Sequence, residues 1–137
     1  MAAASLTGCS SLNENAVVAT VDGDEITADV ANFYARYTQA QYETYMAQYL
    51  GEDMWSNEGE SGETYETSVK ESILEYLENM YLLEDHMEEY EITVSDEEKQ
   101  KIADAAAEFV EANDEADAKK VSGSQETVER ALTLITI

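Results

Sequence analysis

The first patterned segment of the chain is Ala16-Val17-Val18-Ala19-Thr20-Val21-Asp22-Gly23-Asp24-Glu25-Ile26-Thr27. Its Val, Ile and Thr residues favour strands, because β-branched side chains pack well on a pleated surface. Asp22-Gly23 is a favoured two-residue turn between antiparallel strands. The segment therefore predicts a small β-hairpin. An isolated hairpin is marginally stable in water, so this one must pack on a larger body.

That body is predicted to be helical. The chain contains no proline, and from about Ala28 its apolar residues recur at three- and four-residue spacing. We expect a first helix from Ala28 to Gly51 with Thr27 as N-cap, and a second from about Tyr65 to Tyr90. A Gly-, Ser- and acid-rich loop joins them. The predicted inward residues of the second helix are Val69, Ile73, Leu77, Met80, Leu83 and Met87.

Two further helices are expected towards the C-terminus. Ser95 and Glu98 have the spacing of a capping box, in which each side chain bonds the other residue's backbone amide. A break near Gly123 precedes a fourth helix that starts after Ser124. The predicted inward residues are Ile102, Ala105, Ala106, Phe109 and Val110 in the third helix, and Val128, Ala131, Leu132 and Ile135 in the fourth.

These patterns predict a mainly α fold, with a small N-terminal β-hairpin packed on three to four helices. Residues 16–137 form one helical module, since 137 residues suffice for one modest core and hardly for two. The last helix stops on the apolar Ile137 without a cap or polar tail, so we expect it to be truncated.

Residues 1–15 are predicted to be a tether. They contain Leu6-Thr7-Gly8-Cys9, which holds the chain's one cysteine and resembles the bacterial lipobox. That resemblance implies diacylation of Cys9 and a membrane anchor outside the cytoplasm. The five residues before Leu6 lack a basic residue and a long apolar run. Either the true start lies upstream of Met1 or the leader has been left out of this sequence. A chance occurrence, with an exposed thiol, is the alternative.

Charge limits the possible partners. The chain has 31 acidic and 7 basic residues, for a net charge of −24. Nucleic-acid binding is excluded because phosphate contacts need a basic face, and adsorption to anionic lipid is excluded for the same reason. The longest apolar runs are only a few residues, so no transmembrane segment is predicted. Any membrane attachment must therefore come from acyl chains.

Two motifs resemble the PrsA/SurA-type extracytoplasmic foldases. Residues 18–27 are similar to the family's opening strand and turn, V-A-x-V-[DN]-G-x-x-I-T, which lead directly into the first helix. Residues 82–98 are similar to its junction, L-L-x-x-x-A…G-I-x-V-[ST]-D-x-E. Met87 stands where the family usually has alanine, and Tyr90-Glu91 replaces a glycine at the helix end. No parvulin-like sequence is present.

This resemblance implies a helical chaperone module, similar to the SurA N-terminal domain, that acts outside the cytoplasm. Its implied partners are unfolded or partly folded secreted polypeptides, and no cofactor is implied. Whether a parvulin domain, and with it prolyl isomerase activity, follows residue 137 is left open, as are client identity and oligomeric state. The alternative is an acidic surface lipoprotein that docks one folded partner without catalysis.

The candidate client-binding residues are aromatic and methionine side chains of the first helix and its loop. Methionine adapts its shape easily, and tyrosine offers apolar area together with a hydroxyl, so both suit a surface that binds varied segments. The alternative is that these side chains belong to the core. The set is Tyr34, Tyr37, Tyr45, Met46, Tyr49, Met54 and Trp55.

No catalytic or metal site is predicted. His86 lies among carboxylates, but further strong ligands at a fixed spacing are lacking. Asp22-Gly23-Asp24-Glu25 lacks the distal glutamate of a calcium loop. Cys9 lies in the tether, and no spacing of Ser, His and Asp supports a triad. The runs of acidic residues are expected to be solvated faces. The alternative is an acidic surface that favours cationic clients and concentrates divalent cations near the cell envelope.

Overall fold

The computed structural model describes residues 12–51, 53–59 and 62–137. The predicted lipidation site, Cys9, lies outside the described residues. Within these residues, two strands are followed by five α-helices, with one turn of 3₁₀ helix between the first and the second α-helix. They are β1 (Val17–Val21), β2 (Asp24–Thr27), α1 (Ala28–Leu50), the 3₁₀ turn (Met54–Ser56), α2 (Tyr65–Asp85), α3 (Asp96–Ala112), α4 (Glu115–Lys120) and α5 (Gln125–Thr136). The predicted fold class is confirmed.

The hairpin forms at the predicted turn. β1 pairs antiparallel with β2, and Val21 faces Asp24 across the turn. Asp22 and Gly23 both have positive φ, 51° and 108°, as a two-residue type I′ turn requires. Ile26 points into the core and is fully buried. The hairpin therefore packs on the helices through one face, which gives it the support that it lacks alone.

The core consists of two clusters that α1 connects. Val30 of α1 lies in a cluster under the hairpin, whereas Phe33, one turn later, lies in a cluster with α3 and α5. The ring of Phe33 meets that of Phe109 edge to face at 5.5 Å. The buried members are Ile26, Val30, Ile73, Leu77, Tyr81 and Leu134 in the first cluster and Phe33, Ala106, Val128 and Ala131 in the second.

The inward face of α2 differs from the prediction at its C-terminal end. Leu83 is 51% exposed, and Tyr81 is buried instead. At about 100° per residue, Tyr81 lies about 40° from Leu77 around the helix axis, whereas Leu83 lies about 120° away. Glu84, which lies near the centre of this face, is half-buried and pairs with Arg130 of α5. The Glu84–Arg130 ion pair thus lies on the inward face of α2, where the apolar pattern predicted Leu83.

Three other predicted inward residues are exposed. Ala105 and Val110 of α3 face water, because that helix buries Ile102 and Ala106. Near the end of α5, Leu134 is buried and Ile135 is exposed. Leu134 packs in the hairpin cluster. The position of α5 against α1 and α2 therefore buries Leu134, three residues after Ala131, rather than Ile135.

The junction after α2 also begins earlier than predicted. The helix ends at Asp85 rather than Tyr90, and turns follow. In the last turn the Ile92 amide donates to the Met87 carbonyl and the Glu91 amide donates to the Glu88 carbonyl. This is a Schellman motif, and Glu91 holds its left-handed position with φ of 55°. A glutamate thus takes the conformation usually given to glycine.

The α3 prediction is confirmed at its start. The Ser95 hydroxyl accepts from the Glu98 amide, and the Glu98 carboxylate accepts from the Ser95 amide at 2.8 Å. The short helix α4 was not predicted. It begins at the N-cap Asp114 and carries the chain back to α5. Among the described residues, no helix combines the length and the apolar composition needed to cross a bilayer.

Candidate functional site

The two halves of α1 have different surroundings. Its first half passes through the core at Val30 and Phe33. From Glu43 to Leu50, every side chain that the structure describes is exposed. The helix has 23 residues, a length of about 35 Å at 1.5 Å per residue. Its second half therefore extends past the core. Of the described residues, those of the following loop and the start of α2 lie beside it.

Apolar side chains cover one side of this exposed half-helix. We call Tyr45, Met46, Tyr49 and Leu50 the α1 apolar face. Tyr45 is 68% exposed and Tyr49 is 78% exposed, and Met46 and Leu50 are also exposed. At about 100° per residue the four fall within an arc of about 140°. They form a continuous surface rather than scattered exposed residues.

An aromatic cluster of three rings supports the base of this face. The ring of Tyr42 lies 6.1 Å from that of Trp55 and 6.0 Å from that of Tyr65. The rings of Trp55 and Tyr65 stack at 5.6 Å. The indole Nε1 of Trp55 donates a 2.9 Å hydrogen bond to Glu43. These contacts fix the 3₁₀ turn and the start of α2 against α1.

The Glu43 carboxylate is held as an anion beside this cluster. Its Oε1 atom also accepts a 2.8 Å hydrogen bond from Gln39. The hydrogen bonds from Gln39 and Trp55 lower the pKa of Glu43 from its usual value. The negative charge therefore persists at neutral pH and well below it.

A second tyrosine group lies nearer the core. The rings of Tyr34 and Tyr76 stack at 5.1 Å, and Tyr37 lies 6.3 Å from Tyr34. Burial, with smaller contributions from neighbouring tyrosines, strongly raises the pKa of Tyr34, and burial also raises that of Tyr65. These phenols stay neutral at physiological pH and offer ring faces and hydroxyl groups to a ligand.

Two open grooves flank the contact between α1 and α2. One groove, of about 330 Å³, is lined by Tyr34, Tyr42, Tyr65, Ile73 and Tyr76 together with Thr38, Ser68, Val69 and Ser72. The other, of about 380 Å³, is lined by Trp55 and Val69 together with Asn32, Ala35, Arg36, Gln39, Glu66, Lys70 and Ile73. Both grooves combine apolar walls with a few hydrogen-bonding groups.

The structure brings most of the predicted site residues together. Tyr37, Tyr45, Met46 and Tyr49 are exposed, and Tyr34 and Trp55 are half-buried. The ring of Tyr34 stacks on Tyr76, and the ring of Trp55 lies in the aromatic cluster with Tyr42 and Tyr65. Met54 is the exception, because it is 2% exposed and is part of the interior. Its side chain faces inward from the 3₁₀ turn, so it cannot contribute to a surface.

Sequence reasoning missed four residues of this surface. Leu50 is exposed beside Tyr49, and the rings of Tyr42, Tyr65 and Tyr76 face the groove. Tyr42 could have been included, because it precedes Tyr45 by three residues on the same helix. Tyr65 and Tyr76 lie on α2, and only the pairing of the two helices places them beside α1.

The chain was compared with families of known proteins. The model of the SurA-like N-terminal domain matches residues 2–123, from before the hairpin to the turn that precedes α5. The chain belongs to this family. No curated protein and no solved structure matches the chain significantly.

Membership identifies a chaperone-type module. SurA-like domains act outside the cytoplasm and bind unfolded polypeptides in general. Among the described residues, no group of three or more His, Cys, Asp or Glu side chains is placed to hold a metal ion.

Proposed function

We propose that this protein is a lipid-anchored, extracytoplasmic chaperone module that holds unfolded translocated polypeptides on the α1 apolar face and in the adjoining tyrosine-lined groove. It acts without chemistry of its own, by covering apolar segments that otherwise aggregate. In a longer form, the module is coupled to a prolyl isomerase domain. That domain would speed prolyl isomerisation in the client, a step slow enough to limit folding.

The exposure of the α1 apolar face carries this proposal. Single exposed apolar residues are ordinary, but a continuous apolar face at the end of an otherwise acidic helical body is a mark of an interaction site. Tyr45 and Tyr49 are the most exposed of these residues. Nothing in the described part of the chain covers them, so they are free to contact a client.

Binding to this face is weak and does not depend on the shape of the client segment. Met46 has an unbranched, flexible side chain, and the two tyrosines present ring faces that accept aliphatic and aromatic groups alike. The groove below them offers hydroxyl groups to an extended backbone. Contacts of this kind form and break rapidly, which lets a client leave to fold.

The lipid anchor is proposed at Cys9 because Leu6-Thr7-Gly8-Cys9 resembles the bacterial lipobox. Diacylation would keep the module at the outer face of the membrane, where translocated chains emerge. Growth of the producing bacterium with an alkyne-tagged palmitate tests the modification. The wild-type chain with its native leader should carry the label and Cys9→Ser should not, and an unlabelled wild-type protein contradicts the anchor.

Light scattering tests the holding activity. A chemically denatured client is diluted into buffer with a several-fold molar excess of this protein. We expect reduced aggregation with the wild type and a clear loss of that effect with Tyr45→Ser/Tyr49→Ser. Both tyrosines are exposed, so the double variant should fold normally.

Tyr90→Ser is the matched control, because Tyr90 is also an exposed tyrosine but lies in the turns after α2. It should suppress aggregation like the wild type. Failure of the wild type to suppress aggregation of any client contradicts the proposal. A saturable one-to-one complex with a single folded protein, together with indifference to unfolded chains, supports the docking alternative instead.

A further inference from the structure

The surroundings of the α1 apolar face indicate which segments it selects. We propose that this face prefers unfolded segments in which Lys or Arg residues flank an apolar stretch, because the part of the chain that contains the face is acidic and has no basic residue of its own. The inference rests on the proposed function and specifies its substrate class.

The charge pattern along the sequence is strongly one-sided here. From residue 37 to residue 69 the chain has seven acidic residues and no Lys, Arg or His. This segment contains the whole α1 apolar face and the loop after it. Charges of one sign beside a binding surface raise the local concentration of oppositely charged ligands and speed their association.

Glu43 places one of these charges directly at the aromatic cluster. Two hydrogen bonds, from Trp55 and from Gln39, hold its carboxylate in place. A fixed charge loses little conformational entropy when a cation binds, unlike a mobile side chain. Glu43 precedes Met46 by three residues on the same side of α1, so a cation beside Glu43 leaves the neighbouring apolar segment within reach of the face.

The end of α1 adds to the negative field. The last turn of the helix contains no basic residue, so the partial negative charge at its carbonyl end is not offset within the helix. Tyr49 and Leu50 lie in this last turn. The ring faces of Tyr45 and Tyr49 also attract ammonium and guanidinium groups through their π electrons.

The nearest basic residues offset this field only in part, and the charge of Arg36 contributes to the lowered pKa of Glu43. Arg36 lies about two turns before Glu43 and donates to Gln39. Lys70 lies on α2 and pairs with Glu66 of the same helix. Each cation is engaged next to its own position, so the end of α1 keeps its acidic character.

Three matched peptides test the preference. Each carries the same tryptophan-free apolar stretch, flanked on both sides by Lys, by Gln or by Glu. Trp55 is the chain's one tryptophan and lies at the site, so its fluorescence reports binding. We expect the Lys-flanked peptide to bind about five- to ten-fold tighter than the Gln-flanked one at low salt, and the Glu-flanked peptide to bind weakest. In about 0.5 M NaCl the three affinities should converge, because salt screens exposed charges.

The variant Glu43→Gln links the preference to the site. The amide oxygen of glutamine can still accept from Trp55, so the aromatic cluster should stay intact. We expect the ratio of Lys-flanked to Gln-flanked affinity to fall about two-fold, as for loss of one exposed charge pair. Glu108→Gln, at an exposed position on α3, should leave both affinities unchanged.

The outcomes separate the inference from the proposed function. Equal affinities for the three peptides at low salt overturn the charge preference and leave apolar holding intact. A Glu-flanked peptide that binds tightest also overturns it. If none of the peptides binds and no client is protected from aggregation, both the inference and the proposed function fail.

Discussion

Arg130 of α5 forms a bidentate ion pair with Glu84 of α2, with both nitrogen-to-oxygen distances at 2.6 Å. The guanidinium also lies 4.6 Å from the centre of the Tyr81 ring. Both side chains of the pair are about one-third exposed or less. This contact ties α5 to α2, and α5 also packs on α1.

Arg130→Ala is expected to destabilise the protein by about 1–3 kcal/mol, between the values for exposed and for buried ion pairs. The change also removes packing on Tyr81. Urea unfolding followed by circular dichroism measures it. Lys101→Ala breaks an exposed pair with Glu97 and should cost less than about 1 kcal/mol. Equal effects of the two variants would show that the α2–α5 pair adds nothing special.

Asp29 makes the stability depend on acid pH. Burial raises the pKa of Asp29, but hydrogen bonds from Thr27, Thr127 and backbone amides outweigh it and lower the pKa below its usual value. A carboxylate with a lowered folded-state pKa stabilises the fold above its unfolded-state pKa of about 3.9, and this contribution is lost as pH falls through the folded-state pKa.

Asp29→Asn should therefore cost about 1 kcal/mol at pH 7, where a charge at the start of α1 and a charge-assisted hydrogen bond are lost. The difference from the wild type should shrink below about pH 4. Urea titrations at several pH values measure it, with Glu108→Gln as the exposed control. A difference that stays constant down to pH 2 contradicts the assigned ionisation.

Glu91→Gly is expected to stabilise the protein by about 0.5–1 kcal/mol. Glu91 has φ of 55°, which costs a residue with a Cβ atom about 1–2 kcal/mol, and the flexibility of glycine in the unfolded chain offsets part of the gain. Glu75→Gly, at an exposed position within α2, should instead destabilise by about 1 kcal/mol. Thermal unfolding of both variants checks the opposite signs. A loss of stability with Glu91→Gly contradicts the Schellman assignment.

Gly123→Ala should destabilise the turn between α4 and α5 by about 1–3 kcal/mol through overpacking. A Cβ atom at Gly123 would lie 2.6 Å from Cε1 of Phe109. In a Phe109→Leu background the added methyl group has more room, so its cost should fall. Strict additivity of the two changes in a double-mutant cycle would show that Phe109 is not the obstacle.

Local signals in the sequence were sufficient for most elements of the fold. The Asp22-Gly23 turn, the Ser95–Glu98 capping box and the start of α5 after Ser124 depend on residues close in sequence, and each lies where predicted. The predicted end of α2 was wrong because the chain leaves the α-helix at Asp85 and continues in turns to Glu91, and no Gly or Pro between them signals the change. Its inward face was wrong at Leu83 because Arg130, distant in sequence, supplies a partner for Glu84.

The residues of the candidate site were predicted in part, again where a signal within one element was sufficient. Exposure of Tyr45 and Tyr49 follows from the length of α1 relative to the core, and the excess of tyrosine indicated it. Met54 was misplaced because the 3₁₀ turn directs it inward. The stacking of Tyr34 on Tyr76 depends on how α1 and α2 pair, which periodicity within one helix cannot show.

The most direct test of the account is to map client binding by nuclear magnetic resonance. A permanently unfolded, tryptophan-free client is titrated into the isotopically labelled protein, and backbone amide and Trp55 indole signals are followed. We predict that the largest changes occur at Tyr45–Leu50 and at the Trp55 indole, with α3 unaffected. Changes confined to α3 and α5, or none at saturating client, would contradict the account.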